Sequence, residues 1–278
     1  MFKGFFTAAS GMIAQQRRTE MLTNNMANAN TPGFKADQSS VRAFPEMLLD
    51  RIGSKSIPTE KGLHLPIHSR VGSLNTGVYM QEAAPEFLQG DIQQTQRNTD
   101  IALVDGSMPS GQEKDLKGTV LFTALNAAGE LRYTRNGNFT IDEQGFLTTP
   151  LGYYILDENN KRIQLNSENF TVDENGMIME NNRSVARIGI GFSDNPYTLL
   201  KEGDGLFRKA GEPLINAYNE RDVSFKLQQG FIEGSNIDSS RTMTDMMSAY
   251  RSFEANQKVL QAYDRSMEKA VNEIGRIG

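Results

Sequence analysis

A chain of 278 residues, 38% hydrophobic and 23% charged, has material for about two domains and a substantial core. It has no cysteine and two histidines, which excludes disulfides, thiolate metal sites and a cysteine nucleophile. A formal net charge of −5 argues against a nucleic-acid partner, and the absence of an apolar run of ~18 residues argues against membrane insertion. The N-terminus MFKGFFTAASGM also lacks the apolar stretch of a cleaved signal peptide. Charge is unevenly placed: residues 1–35 balance to +3 and 241–278 to +1, so 36–240 hold −9. An acidic middle between near-neutral ends suggests that the middle faces solvent while the ends face something else.

In chain order, the first predicted element is a helix. Phe5, Met12, Thr19 and Met26 repeat every seven residues, with Ala9, Gln16 and Leu22 between them and no Pro before Pro32. Gly4 and Gly11 weaken it by about 1 kcal/mol each relative to Ala, and Ala8, Ala9 and Gly11 are small enough to admit another backbone. Asn30-Thr31-Pro32-Gly33 ends it. Further on, His64 and His68 have the i,i+4 spacing of a helical metal pair, but Pro66 between them breaks the helix that spacing requires. No metal ligand set and no cofactor is expected.

Between about 100 and 230 the pattern changes to short strands and tight turns. Phe139–Leu147 recurs as Phe170–Ile178, 31 residues on, each copy a β-branched strand, an Asp-Glu-x-Gly turn and a second strand. Asn126–Glu130 and Asp157–Lys161 add two more turns. None has the spacing of a calcium loop, so plain hairpin turns are expected. Gly203-Asp204-Gly205 lacks the rest of a dinucleotide fingerprint and reads as a loop.

The last element is the strongest. Met243, Met246, Tyr250, Phe253, Leu260, Met267, Val271 and Ile274 fall at alternating steps of three and four, interrupted by Gln257 and Asp264. Ser235-Asn236-Ile237-Asp238 reads as a capping box with Ser235 as N-cap, and Gly275 and Gly278 as stop signals. A helix over 238–275 would be roughly 57 Å long, too long to be covered by its own globular part. Its partner is either the N-terminal helix of the same chain or neighbouring copies. Gln257 and Asp264 would be costly in a dry core and suit a role in fixing register.

These segments resemble the bacterial flagellar basal-body rod and hook family. Asn24–Lys35 is similar to the family's N-terminal signature, and Gln229–Asp238 followed by Ala249–Lys258 to its C-terminal one. Gln89-Gly90-Asp91, Gln94-Thr95, Asp100–Leu103 and Tyr133–Phe139 match the start of its β domain. The length resembles the distal-rod type. The resemblance implies a non-enzymatic structural subunit of the basal body that self-polymerises into a helical tube and contacts other rod and hook subunits. It also implies passage through the flagellar export apparatus to an extracytoplasmic site without signal-peptide cleavage. Ser107–Lys117 departs from the family pattern and reads as a polar surface insertion, a feature of a Gram-positive lineage version. A rod-associated peptidoglycan hydrolase and a rod–hook junction protein remain as alternatives, although no motif points to a catalytic pair of carboxylates.

The expected fold class is therefore α+β, with terminal helices pairing as a coiled coil around a central all-β domain of short strands and hairpins. Residues 1–35 would form the N-terminal helix of the coiled-coil core, 36–99 an extended linker, 100–228 a β-rich outer domain and 229–278 the C-terminal helix. The candidate assembly interface is Phe5, Met12, Leu22 and Met26 on the first helix. On the second it is Met243, Met246, Tyr250, Phe253, Leu260, Met267, Val271 and Ile274.

Overall fold

The computed structural model describes residues 2–57, 63–109, 117–167 and 169–274. The chain is mixed helix and strand, with helix α1 (Phe2–Ala27) and helix α2 (Ser239–Lys269) at the two ends of a strand-rich centre. It divides into two compact units. The first draws on Met1–Thr23, Ser39–Ala83 and Ser240–Gly278; the second on Asn24–Gln38 and Ala84–Ser239. Residues 36–99 thus supply both units.

In the first unit, α1 and α2 touch in antiparallel order. Gly4 lies against the Tyr263 ring, Gly11 against the Asn256 side-chain amide, and the Thr23 hydroxyl 3.6 Å from the Met246 sulfur. A side chain at Gly4 would occupy the place of the Tyr263 hydroxyl, so the helix propensity lost at the two glycines is exchanged for close approach. Strands Met47–Ile57 and Leu63–Leu74 form a long antiparallel hairpin with a register shift between Leu49 and Asp50. His68 pairs with Ile52 and His64 with Ser56, so both histidines are on a strand, as Pro66 required; their side chains lie outside the described residues. A short ladder of Val41–Ala43 with Val78–Met80 sits beside α1: the Ser10 hydroxyl accepts the Val78 amide at 3.2 Å, against Gly77 with φ of 148°.

The second unit is built on a nine-stranded sheet whose central strand is Thr119–Leu125. One edge of that strand pairs with Leu131–Thr134, the other with Tyr154–Ile155 and Ile190–Ser193. Six of its seven residues are buried, because the sheet has a core on each face. Val120, Phe122 and Ala124 point into the larger core with Ile101, Phe139, Ile155 and Ile190, while Leu121 points into a smaller one with Tyr133, Leu199 and Phe207. A continuous apolar run is what period-two alternation requires of a strand covered on both sides.

Four connections repeat one geometry, as the sequence predicts. Asn126, Asp142, Asp157 and Asp173 each accept the amides two and four residues on through side-chain Oδ1, at 2.7–3.0 Å. The residue three on has positive φ in every case: Gly129, Gly145, Asn160 and Gly176. The acidic or amide oxygen caps the turn's own backbone, and the left-handed position selects Gly or Asn. The insertion at Ser107–Lys117 falls largely outside the described residues; at its edges Ser107 accepts the Ser224 amide and Pro109 that of Gly118.

Candidate functional site

Three stretches of the second unit that are far apart in sequence converge on one carboxylate. Glu233 ends the strand Phe231–Glu233, which pairs with Ile92–Gln94. Its Oε1 accepts Lys35 Nζ at 2.6 Å and the Gly90 amide at 2.9 Å, and its Oε2 accepts Arg135 Nε. Arg135 also donates to the carbonyls of Val120 and Leu103 and to Asp105 Oδ1 at 2.8 Å. Lys35 donates in addition to the Leu88 carbonyl. Lys35, Arg135 and Glu233 are each 1% exposed. With Asp105 the cluster holds two cations and two anions, the condition under which buried charges are tolerated.

Electrostatics follow from that arrangement. Burial alone raises the Glu233 carboxyl, but Arg135 and Lys35 outweigh it and hold the group below the ordinary 4.5. For Lys35, burial dominates the attraction of Glu233 and lowers the ammonium. For Arg135, burial is overcome by Glu233 and Asp105, and the guanidinium is raised. Both oxygens of the Glu233 carboxylate are engaged by the protein's own donors, and the group is almost fully buried. The cluster is a structural tie.

Backbone contacts extend it. Gly33, with φ of 68°, packs onto the Arg135 backbone so closely that a Cβ would overlap it, and its amide donates to the Glu233 carbonyl at 2.8 Å. Asn236 Oδ1 accepts the Ala36 amide and its Nδ2 donates to the Glu86 carbonyl, both at 2.8 Å. Lys201 stacks over the Phe34 ring at 3.9 Å and pairs with Asp37 at 3.0 Å. Asn25, at the end of α1, exchanges two 2.9 Å hydrogen bonds with the Asp37 backbone.

Asn236 also explains where α2 begins. The predicted capping box is corrected here: the helix starts at Ser239, and the Ser235 hydroxyl is buried without a partner. With the Asn236 side chain committed to residues 36 and 86, the strip before Ser239 carries no regular secondary structure. The helix runs to Lys269 and continues as a π turn over Ala270–Ile274; Gly275 and Gly278 lie outside the described residues.

The candidate interface residues divide by exposure. On α1, Leu22 is buried and Phe5, Met12 and Met26 are half-buried. On α2, Met246, Phe253, Leu260 and Met267 are half-buried, whereas Met243, Tyr250 and Val271 are 55%, 56% and 72% exposed. Ile274 is in the π turn and its side chain lies outside the described residues. The covered row alternates Met246, Phe253, Leu260 and Met267 with Ala249, Asn256, Tyr263 and Ala270, one residue before each expected partner position. Gln257 and Asp264 accordingly face water, where they incur no desolvation cost. The reason for the offset is shape: Asn256 and Tyr263 are the side chains that fit against Gly11 and Gly4.

Lys35, Arg135 and Glu233 lie inside the sequence signatures, yet nothing local singles them out. No spacing within any one signature links them, since their pairing spans 98 and 198 residues.

Comparison with known proteins matches these same segments. The family model "Flagella basal body rod protein" matches residues 5–35, "Flagellar hook protein FlgE/F/G D1 domain" 116–180, and "Flagellar basal body rod FlgEFG protein C-terminal" 228–273. The flagellar hook-basal body complex protein FlhO of Bacillus subtilis is 47% identical over 278 residues, covering all of both chains. FlhP of the same organism is 27% identical over 96% of this chain and 97% of its own. The flagellar basal-body rod protein FlgG of Borreliella burgdorferi is 28% identical over 98% of each. No helix among the described residues is long and apolar enough to cross a membrane. Matched from end to end by such relatives, the chain belongs to the bacterial flagellar basal-body rod and hook protein family.

Proposed function

We propose that the protein is a structural subunit of the distal rod, with no catalytic role. It polymerises into a helical tube through its terminal helices, paired as a coiled coil, and transmits torque toward the hook. Its partners are further copies of itself, neighbouring rod and hook subunits, and the flagellar export apparatus that delivers it, without signal-peptide cleavage, to an extracytoplasmic position in the basal body. The observation that supports this best is the second apolar row of α2. Met243, Met247 and Tyr250 stand 55%, 48% and 56% exposed at helical spacing, beside a ridge that α1 already covers on its other flank. A row of large apolar side chains left open to water favours association. Contact between unlike surfaces of successive copies propagates as an open helix.

The test is a full chain carrying Met247→Asp and Tyr250→Asp. Its thermal unfolding should stay within a few degrees of the parent's, because both positions face water, while rod assembly and swimming should be lost. Normal motility of that strain would reject the reading.

A further inference from the structure

We propose that residues 230–236 are the closing lock of the second unit: the N-terminal arm 28–37 seats on the β body only together with this C-terminal strip. The charges dictate the order. Arg135 belongs to the body, and Lys35 arrives with the arm; both are buried. With Glu233 absent, docking the arm would bring a second buried cation toward the first, with only the Leu88 carbonyl to receive the ammonium. Asp105 is paired with Arg135 and 20% exposed at its side chain, and among the described residues Glu233 is the carboxylate that pairs with Lys35. Glu233 bridges the two cations at once, through different oxygens.

The arm's backbone depends on the same strip. The Gly33 amide finds its acceptor in the Glu233 carbonyl, and the Ala36 amide in the Asn236 side chain. The arm also contacts the body directly: Gly33 packs on the Arg135 backbone, Lys201 reaches the Phe34 ring, the Lys35 carbonyl and Asp37, and the Glu86 amide donates to the Ala36 carbonyl. None of these contacts brings a carboxylate to the Lys35 ammonium, so they leave its charge unpaired. The segment synthesised first is therefore the one that docks last, waiting for a residue 198 positions downstream. This inference is independent of any role in the flagellum.

Pulse-labelled hydrogen exchange during refolding of the full chain reads the order directly. Amides of Gly33, Ala36 and 230–236 should gain protection in one common phase, later than those of Thr119–Leu125 and Ile190–Ser193. Protection of Gly33 and Ala36 in an earlier phase than 230–236 overturns the proposal. At equilibrium, Glu233→Gln should speed exchange at Gly33 and Ala36 by about tenfold or more while the central strands keep theirs. Adding Lys35→Met to that variant should reverse part of the effect, since it removes the conflict at its source. An unchanged arm, central strands weakened to the same degree, or no reversal by Lys35→Met would each overturn it.

Discussion

Glu233 owes its ionised state to Arg135 and Lys35, and they owe their burial to it. Removing one member of such a cluster leaves charge stranded, so Glu233→Gln should cost about 3–5 kcal/mol in the docking of the arm, read from amide exchange at Gly33 and Ala36. The pH dependence has a definite sign. The folded carboxyl lies below its unfolded value of 4.5, so the native state binds fewer protons. Its contribution is complete above that value and is lost as pH falls through the lower, folded one. Protection of Gly33 and Ala36 relative to the central strands should therefore drop as pH falls through the acid range by more in the parent than in Glu233→Gln. Gly33 makes a second prediction at this scale. Gly33→Ala places a Cβ in a left-handed conformation against the Arg135 backbone and should cost more than about 1 kcal/mol in the same measurement.

Among the elements, the four capped turns were legible because everything they need is within five residues: an Asx side chain, two amides and a left-handed Gly or Asn. Asp142→Ala or Asp173→Ala loses two acceptor contacts and should destabilise by about 1–2 kcal/mol in chemical denaturation. Asp142→Asn should be close to neutral, since Asn126 already performs the task with an amide oxygen. The start of α2 was not legible, because Ser235 has the right local spacing while Asn236 is held by residues 36 and 86. The phase of α2's covered row was hidden for a similar reason. Tyr250 and Met243 outrank Ala249 and Asn256 in hydrophobicity, and only the notches at Gly4 and Gly11 favour the latter row. Local chemistry reveals turns and helices; complementarity between distant segments does not show in periodicity.

For the whole molecule, the terminal helices present one filled flank and one open flank on either side of a common ridge. The flanks should respond differently to substitution. Gly11→Leu puts bulk where α1 meets Asn256, and should lower the protection of α2 amides in the isolated subunit. Tyr250→Asp should leave that protection unchanged and act only on polymerisation, measured by sedimentation. The ridge itself, Met246, Phe253, Leu260 and Met267, borders both flanks and is half-buried along its length. Phe253→Ala and Leu260→Ala should therefore loosen the isolated helices and weaken assembly together. In the proposed assembly a single row of four side chains would make subunit order and filament strength inseparable: whatever tightens one bond along the ridge would report itself on the other, and no selection acting on either could move these residues alone.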